Sequence, residues 1–223
     1  MKKLLFALSC VLIIAMTTGC FGNSPVDSDM TDSSASSENT SDIKISYFRA
    51  DWPHYDSVQT LVSASDNVFE GKLTNIYFDI VDLKTGYSAS KNSEASDLYL
   101  YTVYEIDVNT SYKGVNADKI CIKVIGGIAG YKEMEQYAKM NEYDLYKDEV
   151  GLLVLEQVEP LTLGETYLFL TCGPSGPYHN IVSDTQFAYN VSGADQTSPF
   201  TFNEIKFYVI GTDVEKTHNS SAI

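Results

Sequence analysis

The sequence predicts a mainly β domain, a small closed or partly open antiparallel barrel with short flanking helices, and three observations predict it. Residues 98–112 alternate Tyr99, Tyr101, Val103, Glu105 and Asp107 with the more apolar Leu100, Thr102, Tyr104, Ile106 and Val108. Such alternation marks a strand with one face in the core and the other in water. The other β-rich segments are separated by Gly, Pro, Asn, Asp and Ser turn signals rather than by regularly alternating helices, which argues against a parallel sheet. Capped helical patterns open and close the domain.

The first element is a short helix at Asp56 to Ser65. Asp56 or Ser57 can cap it, and Val58, Leu61 and Val62 share one apolar face. Val68 to Val81 reads as a strand, with Gly71 marking a bulge where a barrel strand must bend. The polar stretch Asp82 to Asp97, with Gly86 and several serines, reads as a long exposed loop. After the strand Leu98 to Tyr112, Lys113-Gly114 makes a turn into the strand Lys119 to Ile125. Gly126, Gly127 and Gly130 follow, read as a turn that needs positive φ; a phosphate-binding loop would need a fuller strand-to-helix motif. Tyr131 to Asp148 is expected to be helical to about Ala138, with Met134, Tyr137 and Ala138 on one side. Gly151 to Val158 is a short strand, and Leu163-Gly164-Glu165 turns into the strand Thr166 to Thr171. Tyr178 to Ser183 and Gln186 to Val191 are expected to form a hairpin around Asp184. Thr201 and Glu204 stand in capping-box relation, so Thr201 to Ile210 is read as a closing helix, with a strand as the alternative and a frayed tail beyond Gly211.

Ahead of this domain lie two segments of different character. Residues 1–19 read as an export signal: Lys2 and Lys3, an apolar run from Leu4 to Met16, then Thr17-Thr18-Gly19 before Cys20. The run falls short of the roughly 20 residues a spanning helix needs. Gly19 and Cys20 resemble the lipobox of bacterial lipoproteins, with Thr17 where leucine is usual. The resemblance implies that Cys20 is acylated, becomes the mature N-terminus and anchors the protein in the lipid bilayer of a bacterial cell membrane, facing the extracytoplasmic side. A plain signal peptide with an unmodified Cys20 is the alternative. Residues 20–43 are dominated by Ser, Asp, Thr, Asn and Glu and carry too little apolar surface to fold, which suits a disordered tether. Its aspartates lack the spacing of a calcium loop. The globular domain is expected over 44–215, with a flexible tail at 216–223.

The formal charge is −15, and removing Lys2 and Lys3 with the signal leaves −17. A chain this acidic, with scattered lysines and Arg49 as its one arginine in the domain, excludes nucleic acid as a partner.

Four segments in order carry a second resemblance: Ser65-Asp66-Asn67-Val68-Phe69-Glu70-Gly71-Lys72-Leu73, Tyr101-Thr102-Val103-Tyr104-Glu105-Ile106-Asp107-Val108, Tyr112-Lys113-Gly114, and Leu163-Gly164-Glu165-Thr166-Tyr167-Leu168-Phe169-Leu170. They resemble the pattern of netrin-like domains, the OB-type barrels that include the tissue inhibitors of metalloproteinases. The resemblance implies a closed or partly open antiparallel OB-type β-barrel and no particular chemistry. Those inhibitors ligate zinc through a free N-terminal cysteine; here that position is Cys20, committed to lipid, so their mechanism is not implied.

Residues of chemical interest are few. His54, His179 and His218 sit in loops or the tail, and no His-Glu-x-x-His, Cys-x-x-Cys or Gly-x-Ser-x-Gly occurs. No cofactor and no metal are expected; a zinc site from His179, Cys172 and Cys121 is the metal alternative. Strand alternation puts Cys121 on the face of Lys123, and Cys121 and Cys172 are read as free thiols. Glu70, Glu105, Asp107 and Glu165 are read as solvated strand or turn residues rather than an acid pair. The sixteen Tyr and the single Trp are more informative. Tyr99, Tyr101, Trp52 and Tyr55, with the Asp82 to Asp97 loop, form the candidate ligand-binding surface, since tyrosine offers apolar area and a hydrogen bond together. The expected function is a non-enzymatic binding or interaction module for a protein or glycan of the cell envelope. The alternative is an extracellular hydrolase with a site assembled from carboxylates or His179.

Overall fold

The computed structural model describes residues 43–193 and 199–220. The export signal, Cys20 and the tether up to residue 42 lie outside the described residues, as do the last three residues of the tail. Among the described residues no helix is long and apolar enough to cross a membrane.

The chain order is β1 (Ile45–Phe48), α1 (Val58–Ala64), β2 (Asn67–Asp82), a 3-10 turn (Ala95–Asp97), β3 (Leu98–Lys113), β4 (Lys119–Ile125), α2 (Glu133–Asn141), β5 (Leu152–Leu155), β6 (Thr166–Ser175), β7 (Tyr178–Ile181), β8 (Ala188–Asn190) and α3 (Phe202–Ser220). The fold is mainly β, as expected. The large sheet has six strands in the order β2-β3-β4-β7-β6-β8, and β2 also pairs with β6. It is mixed rather than antiparallel, because β4 and β7 run parallel, and β1 and β5 form a separate parallel ribbon.

Both long strands follow from their sequences. β2 and β3 pair antiparallel from Val68 opposite Lys113 to Asp82 opposite Leu98. The ladder shifts register between Glu70 and Gly71, where the glycine was expected to mark a bulge. A Cβ on Gly71 would stand 2.4 Å from Ile106 Cγ2 and 2.8 Å from the Asp107 carbonyl oxygen, so only glycine lets the strands approach there. Gly114, at φ +77, brings the β3 to β4 turn against the Asp66 carbonyl.

The helices are capped as read. Ser57 is the N-cap of α1 and accepts from the Thr60 N–H at 3.2 Å. Lys113 Nζ donates to the Val62 and Ser65 carbonyls, closing the other end of α1 onto β3. Thr201 and Glu204 form the reciprocal box, Glu204 N–H to Thr201 Oγ1 at 3.2 Å and Thr201 N–H to Glu204 Oε2 at 2.7 Å. Phe202, Ile205 and Val209 then enter the core. The helix runs past Gly211 to Ser220, beyond the expected end at Ile210, since glycine costs a helix only about 1 kcal/mol and no proline follows.

Two expectations are corrected. The two short strands β7 and β8 do not form a hairpin: both run antiparallel to β6, end to end on the edge opposite β2, so the chain near Asp184 bends without reversing. α2 buries Gln136 and Met140 rather than Met134, which is 57% exposed. Gln136 turns inward because its amide bridges the Ile128 N–H and the Ile128 and Tyr131 carbonyls, and Gly127 leaves room for it. The Asp82 to Asp97 loop is largely exposed, as expected, and is pinned by hydrogen bonds at its start. Asp82 Oδ1 accepts from the Lys84 and Thr85 N–H groups, and Ser88 bridges back to Val81. Gly86 packs backbone to backbone on Ser175 and Gly176.

The main core lies on the inner face, with Leu73, Ile76, Phe78 and Ile80 of β2, Leu100, Tyr104 and Ile106 of β3, and Ile120, Ile122 and Val124 of β4. Phe69 and Phe169 stack at its centre with ring centroids 5.3 Å apart, both fully buried. Phe169→Ala is expected to cost about 3 to 5 kcal/mol, read as a lower midpoint with unchanged slope in urea denaturation.

Candidate functional site

The outer face of the sheet is where the tyrosine-rich surface was expected, and half of it is not a surface. Val81, Tyr101, Val103 and Tyr178 form a second buried cluster there, with Tyr77, Cys121 and Ile125 packed against it. Tyr178 crosses from β7 to donate its hydroxyl to Asp79 Oδ2 of β2 at 2.6 Å, and Ser88 Oγ donates to the same oxygen. The pinned loop thereby closes over β3 and β4. Tyr101 retains only 8% exposure, which corrects the expectation that it stands open beside Tyr99.

Beneath this cover lies Lys123. It is on the face of Cys121, as alternation requires, yet it is only 5% exposed. Its ammonium sits 5.2 Å from the Tyr101 ring centroid and 5.7 Å from that of Tyr178, with Ser175 Oγ at 3.5 Å. No carboxylate among the described residues comes within ion-pair distance of it. Two aromatic faces offset part of the desolvation cost, and burial still pushes its pKa below the ordinary lysine range.

Tyr99 remains available, at 39% exposure. It lines an apolar cavity of about 330 Å³ with Phe48, Leu100, Met140, Leu145 and Leu153. α2 supplies Met140, and the β1–β5 ribbon supplies Phe48 and Leu153. Neither Trp52 nor Tyr55 lines this cavity. Both are half-buried against the main core, and the Gln186 amide clamps the Tyr55 backbone through its N–H and its carbonyl, each at 2.9 Å. The four predicted site residues thus separate: Tyr99 at a cavity, Tyr101 in a cluster, Trp52 and Tyr55 in packing. The cavity walls from β1 and α2 are distant in sequence from Tyr99, and no local signal points to them.

The residues proposed for chemistry are committed elsewhere. His179 Nδ1 accepts from Asn67 Nδ2 at 3.1 Å, and burial lowers the imidazole pKa. Cys121 and Cys172 are free thiols. Burial raises both, with Asp66 adding to the effect at Cys172, opposite to the depressed pKa of an activated thiolate. Among the described residues no three His, Cys, Asp or Glu side chains converge to hold a metal. Glu70 accepts from the Tyr112 hydroxyl and pairs with Lys206 at 2.9 Å, while Glu105 and Asp107 share Lys119.

Lys123→Met keeps the length and removes the buried charge, so it is expected to stabilise the protein at neutral pH by about 1 kcal/mol or more. The unfolded chain holds the Lys123 proton more tightly than the folded chain. Its penalty is therefore fully present below the folded pKa and fades as pH rises toward the unfolded value. Paired urea denaturations at pH 7 and pH 10 check this: the advantage of the variant shrinks at the higher pH.

Compared with known proteins, the chain matches no family model and no curated protein.

Proposed function

We propose that this protein is a membrane-anchored extracytoplasmic lipoprotein that presents a non-enzymatic binding module, an OB-type barrel, to a protein or glycan of the cell envelope. The anchor is the acylated Cys20, and the Ser/Asp-rich tether holds the acidic domain off the bilayer. Support for barrel closure comes from the pairing circuit, β2 to β3, β4, β7, β6 and back to β2, in which the β3 and β4 outer face is flanked by the β2–β3 loop and the β6–β7 turn.

The single observation that carries the binding reading is Tyr99, a partly exposed aromatic at an apolar cavity whose other walls come from β1, β3, β4, β5 and α2. Such a cavity with one hydroxyl at its edge suits recognition better than group transfer. His179, Cys121 and Cys172 lie outside the cavity lining, and burial raises both thiols away from the reactive thiolate, which supports the same reading.

Two experiments test this. Intact mass of the membrane-extracted protein is expected to show an acylated Cys20 N-terminus, and Cys20→Ser is expected to retain its signal peptide and lose the acyl mass; an unmodified Cys20 would reject the anchor. Glycan-array screening and site-specific photo-crosslinking from position 99 in intact cells are expected to give one saturable partner. Tyr99→Ala should lower that binding at least tenfold at unchanged thermal midpoint. Absence of any partner from position 99 would reject the binding reading.

A further inference from the structure

A second cavity, of about 280 Å³, opens beside the β1–β5 ribbon. Tyr47 and its ladder partner Val154 line it together with Leu155, whereas Phe48 and Leu153 line the Tyr99 cavity. Its floor is Thr102 and Tyr104 of β3, Val124 of β4 and Ile128. Its two side-chain hydroxyls are already hydrogen-bonded within the protein: Thr102 Oγ1 donates to the Gly126 carbonyl at 2.8 Å, and the Tyr104 oxygen is hydrogen-bonded to the Leu161 backbone. A ligand's body therefore meets an apolar surface.

The mouth is different. Glu156 and Glu159 both line it, with the 61% exposed ring of Tyr47 beside them. Arg49 donates to Glu156 at 2.6 Å and balances that carboxylate. Glu159 has neither an ion pair nor a side-chain hydrogen bond among the described residues, so one negative charge at the mouth is left over. The chain as a whole adds an excess of fifteen negative charges, which attracts cations and repels anions.

We propose that this cavity binds a small organic cation, a primary ammonium on an aromatic or aliphatic body. The ammonium sits between the Glu159 carboxylate and the Tyr47 ring, where a charge and a π-face act together, and the body fills the space over Tyr104, Val124 and Val154. A neutral sugar meets a floor that is mostly apolar, with both hydroxyls already in hydrogen bonds. An anion meets Glu159 with Arg49 already engaged. The site is separate from the Tyr99 cavity and does not rest on the binding reading made there.

Isothermal titration of the full mature protein tests the proposal with tyramine as the probe and tyrosol, its neutral alcohol counterpart, as the comparison. Tyramine is expected to bind at one saturable site and tyrosol at least tenfold more weakly. Glu159→Gln should weaken tyramine about fivefold, the scale of one solvent-exposed charge contact. Ala129→Trp, which places an indole in the cavity, should abolish binding, and Tyr99→Ala should leave it unchanged. Glu159→Gln alters only a surface charge, so it decides the matter even if the tryptophan variant misfolds. Equal binding of tyrosol, no effect of Glu159→Gln, loss in Tyr99→Ala or no saturable tyramine binding would each overturn the proposal.

Discussion

The rest of the structure depends on β2 being hydrogen-bonded along both edges. Its first six residues, Asn67 to Lys72, pair with β6, its other edge pairs with β3 throughout, and its last residues are bridged by the loop that follows. β2 thus keeps one neighbour over its whole length and a second only as far as Lys72, and its ladder is irregular close to where the second pairing ends. The bulge at Gly71 supplies a bend there. Phe69, just before it, is stacked on Phe169 of β6 across that second pairing.

Lys123 shows what that curvature does to a residue whose sequence environment is ordinary. Its neighbours Ile122 and Val124 face the core, which leaves Lys123 on the outside, normally a wet position. The β6–β7 turn and the Gly86 loop then meet above it, backbone against backbone, and Tyr178 reaches across to Asp79. The lysine is thus enclosed by segments far from it along the chain. The energetic consequence is a buried cation cushioned by two aromatic rings and one hydroxyl, a costly arrangement that a solvated strand face would avoid.

The same closing of the outer face explains how the tyrosines divide. Tyr99 and Tyr101 are two residues apart on one face of one strand and have the same local pattern. Tyr101 lies under the Tyr178 crossing and is buried, whereas Tyr99 lies beyond it and meets Phe48 and Met140 at a cavity. The β1–β5 ribbon behind that cavity has four-residue strands in parallel register, joined across about a hundred residues of chain. β1 shows no pattern long enough to be read alone, and although Gly151 to Val158 reads as a strand, nothing in it points to β1 as its partner, so the ribbon that walls both cavities was hidden from sequence reasoning.

What the sequence by itself determined are the features decided within a few residues: the Ser57 cap, the Thr201 and Glu204 box, the two long strands, the Gly71 bulge, the turn at Gly114 and the side of the strand on which Cys121 and Lys123 lie. Each is set by local dihedral preference, short hydrogen bonds or the two-residue period of a strand. Only the tertiary structure decided which outer residues stay wet, that β7 and β8 follow one another along β6, that Gln136 rather than Met134 turns inward, and that Tyr99 and Tyr47 stand at cavity mouths. Those outcomes depend on partners brought together over long chain separations, and burial is a property of the assembled neighbours rather than of the residue or its immediate sequence.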